Sequence, residues 1–182
     1  MFIVEKEPKS IAAESYRTLR TNIQYSSFDK EYRVIVVTSS EPGEGKSTTA
    51  GNLALCMAQG DKKVILIDCD LRKPSLHKKF KVSNLVGLSD VIIGKADLST
   101  ATHRYNKNLV LLTSGKIPPN PSEMLSSKTM ESLLEVLDMN TTALETMQKM
   151  FYRCCNVTSI QSEWNTDNVT NMTGMFAGVS LT

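Results

Sequence analysis

The sequence predicts an α/β fold, a parallel sheet flanked by helices, and three observations carry that expectation. The runs Val34-Ile35-Val36-Val37, Val64-Ile65-Leu66-Ile67 and Leu109-Val110-Leu111-Leu112 are continuously apolar, the pattern of strands buried on both faces. Helical periodicity fills the segments between them, so strands and helices alternate. The chain of 182 residues, with 41% hydrophobic and 22% charged residues, has the composition of a globular protein with room for one ordinary core.

Taken in order, Ser10 is expected to cap a helix through about Ser26 with an apolar stripe of Tyr16, Leu19 and Ile23; Glu14, Arg17 and Arg20 sit beside that stripe. Arg33 to Thr38 reads as the first strand. The loop Ser39-Ser40-Glu41-Pro42-Gly43-Glu44-Gly45 follows, and then a helix with Ala50, Leu53, Ala54, Met57 and Ala58 on one face, ended by Gly60. The second strand, Val64 to Ile67, runs into Asp68-Cys69-Asp70, and the third, Leu109 to Leu112, into Thr113-Ser114-Gly115. After the rigid connector Pro118-Pro119-Asn120-Pro121, a helix capped near Ser122 should place Met130, Leu133, Leu134 and Leu137 on one face. Beyond about Asp138 the buried-type runs stop and Asn, Thr and Met become frequent. A boundary is therefore expected there, dividing a domain of residues 1–137 from an irregular tail of residues 138–182.

Charge and cysteine content exclude several functions. The net charge is only +2, too weak to argue for nucleic acid by bulk charge, so any phosphate binding has to be local. No segment approaches the ~20 apolar residues that span a bilayer. Cys56, Cys69, Cys154 and Cys155 lack metal-ligand spacing and read as thiols in a reducing compartment.

The chemistry is concentrated in two places. Gly45-Lys46-Ser47-Thr48, preceded by Gly43, stands where a strand is expected to meet an amphipathic helix. Phosphate oxygens need several converging N–H donors, which glycines allow by leaving no side chain in the way, and a helix N-terminus adds partial positive charge. Lys46 can supply a full charge to the phosphates and Ser47 a hydroxyl ligand for Mg2+; Ser40 stands where the full pattern has its first Gly. Asp68 and Asp70, at alternate positions off the end of the second strand, lie where ligands bind in open α/β sheets. They could reach a metal, its waters or an attacking hydroxyl.

The segment Ser39 to Ser47, followed by Asp68-Cys69-Asp70-Leu71-Arg72-Lys73-Pro74, resembles the bacterial tyrosine kinases that regulate capsule and exopolysaccharide synthesis, relatives of the partitioning and septum-site ATPases. Gly87-Leu88-Ser89-Asp90 and Pro119-Asn120-Pro121-Ser122-Glu123 also match, so the resemblance covers residues 10–137. It implies a P-loop NTPase-type sheet, ATP and Mg2+ as cofactors, and nucleotide contacts from Gly43, Glu44, Gly45, Lys46, Ser47 and Thr48. It also implies metal ligation by Ser47, Asp68 and Asp70, and catalytic roles for Lys46, Asp68 and Asp70, with Asp68 acting on a tyrosine hydroxyl or on the metal. Glu14-Ser15-Tyr16-Arg17-Thr18-Leu19-Arg20 is similar to the family's ring-assembly motif, implying self-association through Glu14, Arg17 and Arg20. A membrane-anchored activator of the polysaccharide machinery is the implied partner, at the cytoplasmic face of the membrane. The other readings are a nonenzymatic nucleotide-binding remnant and a partitioning-type ATPase switch.

The family pattern breaks near residue 137. An apolar strand ending in Asp-x-Pro-Pro, expected near the strand that leads into the glycine-rich loop, has no counterpart, and a tyrosine-rich tail is absent from these 182 residues. Instead, Met150 to Cys154 and Asn165 to Phe176 resemble one and a half copies of a short repeat from bacterial surface proteins of the leucine-rich-repeat class. Such repeats need about three stacked copies to bury a core.

Overall fold

The computed structural model describes residues 2–26 and 32–142. In chain order it contains α1 (Ile3–Lys6), α2 (Ile11–Tyr25), α3 (Lys46–Gln59), β1 (Val64–Ile67), α4 (Leu76–Phe80), α5 (Leu88–Ile92), α6 (Leu98–Ala101), β2 (Thr102–Arg104), β3 (Leu109–Leu112), α7 (Pro121–Leu125) and α8 (Lys128–Thr142). The chain divides into two units, Met1–Ser126 and Ser127–Thr182. The repeat-like stretches near residues 150 and 170 lie outside the described residues.

Two of the expected strands form at the expected residues. β1 and β3 pair in parallel, Val64 opposite Leu109 and Ile67 opposite Leu112. The order is β1-β3-β2, and β2 runs antiparallel to β3, so the sheet is mixed rather than wholly parallel. The cause is the short connection from β2 to β3, which only a hairpin can make. Asn106 shapes that turn, its side-chain oxygen accepting from the N–H groups of Asn108 and Leu109 at 2.8 Å each. Leu109, Leu111 and Leu112 of the central strand are buried, whereas all four residues of β1 at the edge are half-buried.

The first expected strand, Arg33 to Thr38, is not formed. Residues 32–39 belong to no strand, and Val34, Ile35 and Val36 are 58%, 39% and 81% exposed. A continuous β-branched run becomes a buried strand only when neighbours flank it. Among the described residues, no strand pairs with it.

Helix α3 is the centre of the larger unit. It is buried along Gly51 to Cys56 and again at Ala58, well beyond the single face read from its periodicity, because α1, α2, β1 and β3 all pack against it. It ends at Gly60 as expected. On α2, Ser10 does cap the helix, its hydroxyl oxygen accepting from Ala13 N–H. Of the expected stripe, Tyr16 and Ile23 are half-buried and Leu19 is exposed; Ala13 is buried, and Arg17 and Arg20 are half-buried beside it. The expected C-terminal helix is two helices, and Ser127 rather than Ser122 caps the longer one through Met130 N–H. Met130, Leu133 and Leu137 form its buried face.

The N-terminal segment is a core element that its short length concealed. Phe2 lies over Gly51, where any Cβ would sit 2.2 Å from the ring, and Val4 N–H donates to the side-chain oxygen of buried Asn52. Phe2 stacks obliquely on Phe80, which meets Tyr105 edge-on. Tyr105 in turn donates to the Glu5 carboxylate, 2.9 and 3.1 Å from its two oxygens. Burial first, then the hydrogen bond to Glu5 and last the Glu5 charge, push the phenol up to about 12 from an ordinary 10.0. A raised pKa on folding means a contribution present below pH ~10 and lost as pH climbs through ~12. The melting-temperature advantage of the native chain over Tyr105→Phe is therefore expected to be constant up to about pH 10 and to shrink between 10 and 12. Circular dichroism melts across that range check this; an undiminished gap at pH 12 would contradict it.

Candidate functional site

The glycine-rich loop adopts a geometry that only glycine takes without strain at two points. Gly43 and Gly45 have φ of 87° and 94°, and Gly45 is the N-cap of α3. With the backbone turned this way, the N–H groups of Gly45, Lys46 and Ser47 at the start of α3 donate to no acceptor among the described residues. They form a nest of donors on a helix of 14 residues. Lys46 folds back over the loop, its Nζ donating to Ser39 Oγ at 3.0 Å and to Glu41 O at 3.4 Å. Glu44 closes the same loop by accepting from Glu41 N–H, and that bond, helped by the Ser39 hydroxyl, lowers its pKa.

Asp68 stands at the end of β1, 3% exposed. Oδ2 accepts from the N–H groups of Ser75 and Leu76 at 3.1 and 3.0 Å, and Oδ1 from that of Asp70 at 3.2 Å. Burial nevertheless raises its pKa, with the Asp70 charge adding to the effect and the three N–H donors opposing it. Asp70 is exposed and accepts from Lys73 N–H. The carboxylate of Asp68 therefore organises the start of α4. Through α4 it reaches the helix carrying the loop: Ser75 Oγ donates to Ser47 Oγ at 2.7 Å, and Lys79 Nζ to Thr48 Oγ1 at 2.9 Å.

Of the expected phosphate and metal residues, Ser47 and Asp68 are linked through the single residue Ser75, and no bond joins Asp70 to the loop among the described residues. A hydroxyl and a buried carboxylate are hard oxygen donors, and among the described residues no group of three or more His, Cys, Asp or Glu could hold a metal by itself. That donor set suits Mg2+, which keeps waters and is held by one or two protein oxygens together with phosphates.

Glu14, Arg17 and Arg20 are placed differently from a simple solvated triad. Arg17 pairs with Glu14 at 2.8 Å and donates to Pro8 O, while Arg20 Nη1 donates to Cys56 O at 2.9 Å, capping the last turn of α3. Arg20 is therefore a structural residue, whatever else the triad does. Arg20→Ala should cost about 2 kcal/mol of stability through a lost charge-assisted bond, measured as a lower urea midpoint; an unchanged midpoint would deny it this role. Sequence reasoning also passed over Ser75 and Lys79. Within Lys73 to Lys81 they look like part of a basic surface stretch, and only the fold aims them at α3.

A family model described as the NUBPL iron-transfer P-loop NTPase, of ParA type, matches residues 30–135. A second, for a Mycoplasma protein of unknown function, matches residues 120–181. The tyrosine-protein kinase YwqD of Bacillus subtilis is 53% identical over 132 residues, covering 72% of this chain and 56% of YwqD. The chain thus spans about half the length of that relative, and the 135 residues aligned with the Escherichia coli tyrosine-protein kinase etk are 19% of it. The kinase domain of Escherichia coli ETK superposes with a TM-score of 0.74 at 35% identity, over 78% of this chain and 56% of that one. The chimerical protein CapA2B2 gives 0.73 at 40% identity, over 76% of this chain and 62% of that one.

Proposed function

Since the chain belongs to the P-loop NTPase family and carries a P-loop domain of the bacterial tyrosine-kinase type, we propose that it binds Mg-ATP at Gly43 to Thr48 and transfers the γ-phosphate to a tyrosine hydroxyl. The observation that carries this is the set of N–H groups at Gly45, Lys46 and Ser47 that donate to no acceptor among the described residues, with the Lys46 ammonium held on the same loop at Ser39. The N–H groups hold phosphate oxygens by hydrogen bonds that need no reorganisation. Lys46 supplies charge toward the β and γ phosphates, Ser47 and Asp68 would hold Mg2+, and Asp70, exposed beside them, is the carboxylate with freedom to reach water or a second ligand. Mg2+, when bound, neutralises charge on the transferring phosphoryl group. A tyrosine hydroxyl of pKa ~10 is scarcely ionised at neutral pH, so it needs a carboxylate within reach. With both oxygens of Asp68 engaged by N–H groups, Asp70 is the more accessible acceptor for that proton.

Self-association belongs to the same proposal. A shallow groove of about 340 Å³ runs along the outer face of α2, lined by Ile11, Glu14, Ser15, Thr18, Leu19 and Asn22. Ile11 is 88% exposed there, which supports a contact between copies centred on Ile11 and Glu14 rather than on Arg20. A membrane-anchored activator and a role in capsule or exopolysaccharide synthesis follow from the kinase reading; no helix among the described residues is long and apolar enough to cross a membrane.

One observation favours a second reading, nucleotide binding without turnover: the run leading into the loop is not held in a sheet. Incubation with Mg-ATP separates the readings. Phosphotyrosine on the chain or an added partner supports the kinase; binding alone supports the remnant; phosphate release without phosphotyrosine supports a partitioning-type switch.

A further inference from the structure

Helix α4 brings two polar side chains to the start of α3. Ser75, its N-cap, and Lys79 lie four residues apart and therefore on one face, and each bonds to the first turn of α3, Ser75 to Ser47 and Lys79 to Thr48. The placement is built rather than incidental. Asp68 fixes the entry to α4 through two N–H groups, and Leu76 and Phe80 of α4 are buried in the core. The Lys79 side chain also lines a cavity of about 200 Å³ with Phe2, Glu5, Phe80, Lys81 and Tyr105. Lys46 approaches the nest from the loop side, at Ser39 and Glu41, and Lys79 from the side of Thr48. One ammonium group is thus bonded to the loop that precedes the N–H donors of Gly45 to Ser47, and the other to the residue that follows them.

Resting on the nucleotide-binding reading, we infer that α4 is the second wall of the phosphate site and that Lys79 is a second cation contacting the phosphates of a bound nucleoside di- or triphosphate. An ammonium has three donors, and the bond to Thr48 uses one of them. A polyphosphate bound on the nest without Mg2+ carries more negative charge than Lys46 and a helix terminus offset, and with Mg2+ the carboxylates of Glu44, Asp68 and Asp70 still weigh against the ion's charge. Lys79 supplies the missing positive charge. Ser75 is a positioning residue, holding the Ser47 hydroxyl in place.

The test is calorimetric titration of the whole chain with ADP, for the native protein, Lys79→Met, Lys79→Arg and Lys46→Met, with thermal melts alongside. Lys79→Met is expected to weaken ADP binding about tenfold, the loss of one charge-assisted contact, with a shallower dependence on salt and an unchanged melting temperature. Lys79→Arg, which keeps the charge, should recover most of the affinity. Native-like ADP affinity in Lys79→Met, beside lost binding in Lys46→Met, would overturn this inference and leave the nucleotide site standing. Weakened binding that Lys79→Arg does not recover, together with a lowered melting temperature, would also overturn it, since the role would then be structural. A native chain that binds no ADP would overturn the site itself, and this inference with it.

Discussion

Incubated with Mg-ATP, the chain is expected to form about a hundredfold less phosphotyrosine than an equimolar amount of the Escherichia coli ETK kinase domain, the scale of loss that a misplacement near 1 Å causes. The reason lies in residues 32–39. In-line phosphoryl transfer depends almost wholly on positioning, and here the segment that carries the loop has no neighbouring strand among the described residues to hold it. Val34 and Val36, 58% and 81% exposed, together forgo roughly 3 kcal/mol of burial, against a net stability of typically about 5–15 kcal/mol. An exposed β-branched run is also a template for pairing with another chain. Self-association through this segment should therefore accompany the slow transfer. Light scattering and anti-phosphotyrosine detection on one sample measure both, and transfer at the ETK rate from a monodisperse chain would contradict the argument.

How far the fold could be read depended on whether each element's signal was local. Val64 to Ile67 and Leu109 to Leu112 form strands at the residues expected, and Ser10 caps α2 through Ala13, because composition and a single hydroxyl decide those features. Val34 to Val37 carries an equally strong local signal and stays outside the sheet, since pairing is decided by a neighbour the run itself does not encode. The inward turn of Arg17 and Arg20 on α2 was hidden for a related reason: their partners, Pro8 O and Cys56 O, are backbone atoms that no composition reveals. Phe2 was overlooked because its pocket exists only where Gly51 of a distant helix leaves room. Gly43, Gly45, Lys46 and Ser47 can be singled out from residue type and spacing as candidates to hold phosphate, and Asp68 and Asp70 as candidates to hold a metal, since glycines, a cation and a hydroxyl before a helix and carboxylates off a strand end are local signals. Ser75 and Lys79 cannot, for they join the site only through the packing of α4 on the core.

The central claim is that the start of α3 is a working phosphate site, and Lys46 tests it with the largest expected effect. Its side chain is half-buried at the helix start, serves no apolar face, and donates only to Ser39 and Glu41 of the loop. Removing it should leave the core, built on Leu55, Cys56, Leu109 and Leu111, untouched. On the nucleotide-binding reading it supplies a full charge to the phosphates, and losing such a contact weakens binding by a factor of about ten to a hundred or more. Calorimetric titration of the native chain and of Lys46→Ala with ADP is therefore the most direct measurement. Saturable binding by the native chain, none detectable in Lys46→Ala, and superimposable circular dichroism spectra are the predicted result; equal ADP affinity in the two proteins would contradict it.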